Sequence, residues 1–211
     1  MIPNIFINDI SMHELGWIRE SIDMPVPQVQ KTTIVIPSGS KPIRHIEGYE
    51  PRSVEIVLTM NGSLKDFYWK VSEVINLFSS VIVEVATSEE PTFYIEGTLD
   101  FETSYEPIER KGTLILRSED ADAYRYHKEL TLVDVEGDED VILQNDFMPT
   151  IPTICTSCKT KLIWNVGDEK FQKTLSEGEW KIPELELKQG KNTIRVESKG
   201  ITSIIYQEGR L

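Results

Sequence analysis

The chain has 211 residues, 39% of them hydrophobic and 27% charged, with 35 acids against 22 bases and a net charge of -13. That length suits two modest domains of about 80 to 130 residues, and no apolar run approaches the ~20 residues needed to span a bilayer, so neither a transmembrane helix nor a disordered chain is expected. The acidic surplus opposes binding to phosphate backbones, where affinity comes from cations that displace condensed counterions, so specific nucleic-acid binding is not expected either.

The opening segment, MIPNIFINDISMHEL, shows no basic stretch, uninterrupted apolar block or small-residue cleavage site, which predicts a chain that starts in a cytoplasm and has no membrane association. Thr32 to Ile46 reads as a β-hairpin around Pro37-Ser38-Gly39-Ser40, with Ile34, Val35 and Ile36 before the turn and Ile43, His45 and Ile46 after it. An isolated two-stranded ribbon cannot bury that much apolar surface alone. These six residues are therefore the expected subunit contact.

From Val54 to Met60 the side chains alternate, with Val54, Ile56, Leu58 and Met60 on one face, as in a half-buried strand. Asn61-Gly62 breaks the run, and Ser63 is placed to cap a helix in which Leu64, Phe67, Tyr68, Val71, Val74, Ile75 and Phe78 share one face. Trp69 and Leu77 fall off that stripe, which implies either a wide buried arc or a partner-facing side. Val81 to Val85, Thr92 to Leu99 and Gly112 to Arg117 read as further strands, with Ser88-Glu89-Glu90-Pro91 as a turn. The first half is predicted to be α+β, mostly antiparallel sheet with one covering helix and a protruding hairpin.

Acidic runs follow at Glu119-Asp120-Ala121-Asp122 and at Glu136-Gly137-Asp138-Glu139-Asp140, the second also reading as a linker. Beyond it lie short predicted strands, Val141 to Phe147, Thr153 to Thr156, Lys161 to Val166, Lys170 to Leu175, Glu179 to Ile182, Asn192 to Glu197 and Ile201 to Tyr206, and no amphipathic helix. Turn signals at Gly167-Asp168, Glu177-Gly178, Gln189-Gly190 and Lys199-Gly200 recur at β-sandwich spacing, predicting an all-β jelly-roll-type sandwich. The expected division is residues 1–130 and 131–211.

Signals for catalysis are weak. Cys155 and Cys158 form a C-x-x-C pair, but structural zinc takes four ligands and the three histidines, His13, His45 and His127, all lie upstream in the other domain. A redox dithiol would open a helix, whereas Ile154 to Trp164 reads as strand, turn, strand, so both thiols are expected to be ordinary sheet or turn residues. The histidines form no nucleophile–base arrangement. Carboxylate pairs such as Glu89/Glu90 and Glu106/Glu109 arise by chance in so acidic a chain. No enzyme, metal or cofactor is expected. Trp164 and Trp180 could stack on a sugar, giving a carbohydrate-binding module for host cell-wall glycan as the alternative; tryptophans in a small sandwich are more often core residues.

In order along the chain, Ile36-Pro37-Ser38-Gly39, Gly48-Tyr49, Arg52 leading into Val54 to Met60, Val74 to Phe78, Glu90-Pro91 with Phe93-Tyr94, and Arg117-Ser118-Glu119-Asp120 before Tyr124 resemble the distal tail protein (Dit) family of long, flexible-tailed bacteriophages. The chain departs from the family pattern at Ser40-Lys41-Pro42, where many relatives have a charged Asp-Gly turn, and at Ala121-Asp122-Ala123-Tyr124, which replaces Pro-Tyr. The match covers residues 1–130. Beyond them only Lys188 to Val196 and Ile204-Ile205-Tyr206 are similar to the family's galectin-like carboxyl domain. The resemblance implies a structural hub in the virion tail tip, assembled in the bacterial host cytoplasm. It implies a homo-hexameric ring, single or stacked, with the tail tube protein and a tail tip or baseplate protein as partners.

Overall fold

The computed structural model describes residues 3–34 and 43–211. The chain divides into two compact units, Met1–Arg125 with Leu211, and Tyr126–Arg210, a few residues earlier than the break near 130 read from the sequence.

In the first unit, β1 (Ile5–Ile7) and β2 (Ile10–Ser11) are joined by Asn8 and Asp9, whose φ angles of 49° and 63° make the two-residue turn that matches strand twist. There follow β3 (Ile18–Asp23), β4 (Val29–Ile34), β5 (Ile43–Tyr49), β6 (Arg52–Asn61), α1 (Leu64–Phe78), β7 (Val83–Thr87), β8 (Glu90–Gly97), β9 (Asp100–Glu106) and β10 (Lys111–Ala121). Strands β3, β6, β10 and β9 form one antiparallel sheet in that order, β2, β1, β7 and β8 run as neighbours in another, and among the described residues β4 pairs only with β5.

The alternation read in β6 is present: Val54, Ile56, Leu58 and Met60 are all buried. Cross-strand pairing sets Leu58 against Leu114 and Ile56 against Leu116 of β10, so the two central strands present one apolar face. Helix α1 begins at a capping box in which the Ser63 hydroxyl accepts from the Asp66 N–H and the Asp66 carboxylate accepts from the Ser63 N–H. It buries Phe67, Val71, Val74 and Phe78, one stripe at helical spacing, in the same core as the sheet. Gly112 on β10 makes this approach possible. A Cβ there would lie 2.2 Å from the Phe67 ring.

β11 (Arg125–His127) crosses the unit boundary. The second unit contains β12 (Thr131–Glu136), β13 (Glu139–Asn145), β14 (Thr153–Thr156), β15 (Thr160–Val166), β16 (Glu169–Leu175), β17 (Gly178–Lys181), β18 (Gly190–Ser198), β19 (Ile201–Tyr206) and β20 (Gly209–Arg210). Its two antiparallel sheets, ordered β12-β19-β14-β17 and β13-β18-β15-β16, enclose a core that includes Leu143, Ile154, Leu162, Ile194, Val196 and Ile204. Together the units are an α+β body followed by a β-sandwich. The buried hydroxyls of Thr160, Ser198 and Thr202 satisfy one another, with Thr160 Oγ1 2.9 Å from Ser198 Oγ and 3.3 Å from Thr202 Oγ1.

One expectation is corrected here. The acidic run Glu136 to Asp140 is no linker but the β12–β13 connection, in which Gly137 (φ 82°) turns the chain and Asp138 accepts a 2.9 Å hydrogen bond from the Ser198 N–H. Its charge reflects an exposed turn within the sandwich, not a spacer between domains.

Candidate functional site

The β4–β5 hairpin carries apolar side chains that lack cover. Every residue of β4 is exposed, with Ile34 at 56% and, across the ribbon, Ile46 at 68%. His45 is exposed as well, paired in register with Thr32, while Ile43 pairs with Ile34. Val35 and Ile36 lie outside the described residues. Of the six expected contact residues, the structure therefore places Ile34, Ile43, His45 and Ile46 on one two-stranded ribbon.

The foot of that ribbon is held. Tyr49, the last residue of β5, meets Tyr124 edge to face with ring centroids 5.9 Å apart. Three residues on, the Arg52 guanidinium is buried and donates to the Ala123 carbonyl at 2.8 Å. Burial, and then the nearby Arg125 cation, lower the Arg52 pKa from a starting value too high for the proton to be lost. Gly48-Tyr49, Arg52 and Tyr124, separate signals along the sequence, thus form one structural bracket.

A second unpartnered surface was only half legible. Trp69 and Leu77, off the main helical stripe, are 67% and 43% exposed, and Tyr68 and Ile82 are exposed beside them in sequence. Tyr68 was expected in the buried stripe. It falls outside because α1 buries the narrower set Phe67, Val71, Val74 and Phe78.

The candidates for chemistry resolve into structural roles. Glu89 forms an ion pair with Arg19, which depresses its pKa, whereas a general acid needs a raised one; Glu90 pairs with Arg125. Cys155 and Cys158 are free thiols on β14 and in the turn after it. A hydrogen bond with Ser198, foremost, lowers the Cys158 pKa. Among the described residues no group of three or more His, Cys, Asp or Glu side chains could hold a metal ion, and no helix is long and apolar enough to cross a membrane. Trp164, one of the two residues expected to stack on a sugar, is largely buried. It is 6% exposed, donates its indole N–H to the Glu184 carbonyl at 3.0 Å and stacks on Phe171. Trp180 is half-buried, packed against the sandwich core, and donates to the Ser176 carbonyl at 3.0 Å.

The chain is thus an α+β unit bearing a two-stranded arm, followed by a β-sandwich. The crystal structure of the SPP1 Dit protein, described as a paradigm of the hub adsorption apparatus in Gram-positive infecting phages, matches this chain over 100% of both chains with a TM-score of 0.72 and 13% sequence identity. No family model and no curated protein sequence matches the chain. The likeness therefore stands at the level of fold, and it extends over both units in the same order.

Proposed function

We propose that the chain is a structural hub of a phage tail tip, with no catalytic role, and that its copies close into a hexameric ring through the β4–β5 arm. The carrying observation is the full-length fold match to a hub protein. The arm supplies the means of assembly. Residues 29–49 carry Lys31, Lys41 and Arg44 against Glu47, a basic segment in a chain of net charge -13, so an arm laid on a neighbouring copy is attracted where the remainder repels. A ring also covers every arm with the next subunit and leaves none exposed at an end.

On this reading the ring, single or stacked, sits between the tail tube protein and a tip or baseplate protein in the virion, after assembly in the bacterial cytoplasm. Its acidic surplus keeps passing DNA from adhering. Size-exclusion chromatography with light scattering, followed by negative-stain imaging, tests the proposal. Sixfold rings are expected. A strictly monomeric protein at high concentration that also fails to bind tail-tube and tip neighbours would overturn it.

A further inference from the structure

The sandwich has an open cleft where edge strand β16 meets the segment Pro183 to Lys188. It measures about 320 Å³, at the lower end of small-ligand clefts (~300–1,000 Å³), and is lined by Phe171, Val166, Asn165, Glu184, Glu186 and Lys188. An adjoining depression of about 410 Å³ shares Asn165, Glu186 and Lys188 and adds Lys191. Phe171 is half-buried and lines the cleft, and Trp164, which lines the adjoining depression, stacks against it with ring centroids 6.0 Å apart and planes 21° apart. With its N–H already committed to Glu184, Trp164 acts as a buttress that fixes the plane of the Phe171 ring.

Three polar side chains around the ring are uncommitted, whereas Asn192, also in the lining, is bonded to the Lys188 and Gly190 backbone. Among the described residues, the Asn165 amide, the Glu186 carboxylate and the Lys188 ammonium make no hydrogen bond or ion pair within the protein, and they supply donors and acceptors in alternation. Charge balances locally, with Glu184 and Glu186 against Lys188 and Lys191, although the chain as a whole is strongly acidic. A polyanion would find no cationic excess here, and a cation no acidic one.

We propose that this cleft binds an uncharged saccharide, with one pyranose C–H face against the Phe171 ring and neighbouring hydroxyls bonded to Asn165, Glu186 and Lys188. An aromatic ring held in one plane suits the flat apolar face of a sugar. An amide beside a carboxylate and an ammonium suits hydroxyls, which both donate and accept. The site differs from that expected of Trp164 or Trp180 as a platform in that the ring lining the cleft is Phe171.

The test uses the full chain on an array of uncharged and of phosphate- or uronate-bearing oligosaccharides, followed by calorimetric titration with the strongest uncharged binder. Saturable binding is expected, weakened about tenfold or more by Phe171→Ala and by Asn165→Ala. Because Phe171 contributes to the sandwich edge, Glu186→Ala and Lys188→Ala, at side chains without internal partners, provide variants that leave packing intact and are expected to weaken binding as well. No saturable binding to any uncharged oligosaccharide would overturn the proposal. So would binding that all four variants leave unchanged, or binding confined to anionic polymers and abolished by salt. Oligomer mass recorded on the same samples separates this outcome from that of ring assembly.

Discussion

Strand β6 and the β4–β5 hairpin are adjacent in sequence and similarly rich in β-branched residues, yet their fates are opposite. β6 lies between β3 and β10 and alternates buried with accessible positions, whereas β4 is exposed at every position and, among the described residues, pairs only with β5. β propensity accounts for both being strands but not for what they do. Cover decides that: β6, with a strand on either side, turns its apolar face into a core shared with α1, whereas the two-stranded ribbon leaves Ile34 and Ile46 exposed.

The largest effect expected from this contrast is in β6. Leu58→Ala should cost about 2–5 kcal/mol, read by denaturant unfolding, because Leu58 is fully buried against Leu114. Ile34→Asp combined with Ile46→Asp should move stability by no more than about 0.5 kcal/mol while collapsing the oligomer mass measured by light scattering. A large stability loss in that variant would make the arm part of the core and dissolve the distinction. Between these, Ser63→Ala removes the helix cap and should cost about 1 kcal/mol without changing oligomer mass.

The smallest effect is electrostatic. Burial, and then the charges of Asp122 and Glu84, raise the Glu96 pKa. The folded protein therefore holds that proton more tightly than the unfolded chain does, so the associated stability is fully present below the unfolded pKa and is lost as pH rises through the folded one. Glu96→Gln should accordingly raise the melting temperature slightly at neutral pH, with the gain fading in acid. An unchanged pH profile would remove Glu96 from the acid-dependent part of the stability.

The same neighbour logic explains what could be read in the sequence. β6, the Ser63 cap and the helical stripe were legible because burial on one side imposes a period on the residues. Strand β9, Asp100–Glu106, was not recognised, since an edge strand exposed along most of its length can be acidic and leave no such period. β1 and β2 were missed although Asn8-Asp9 suits a tight hairpin turn, because the strands on either side are only three and two residues long. The arm was recognised as unburied from its apolar content alone. Phe171 was overlooked because a lone phenylalanine on a short strand looks like any core residue, and only the stacking of Trp164 behind it marks it out.

The bracket formed by Tyr49 with Tyr124, and by Arg52 with Ala123, has a mechanical meaning. It ties the arm at its root, as a fulcrum fixes a lever, to Ala123 and Tyr124. Tyr124 is two residues before Tyr126, where the second unit begins. The residues that hold the root of the arm are therefore close along the chain to the residue at which the second unit begins.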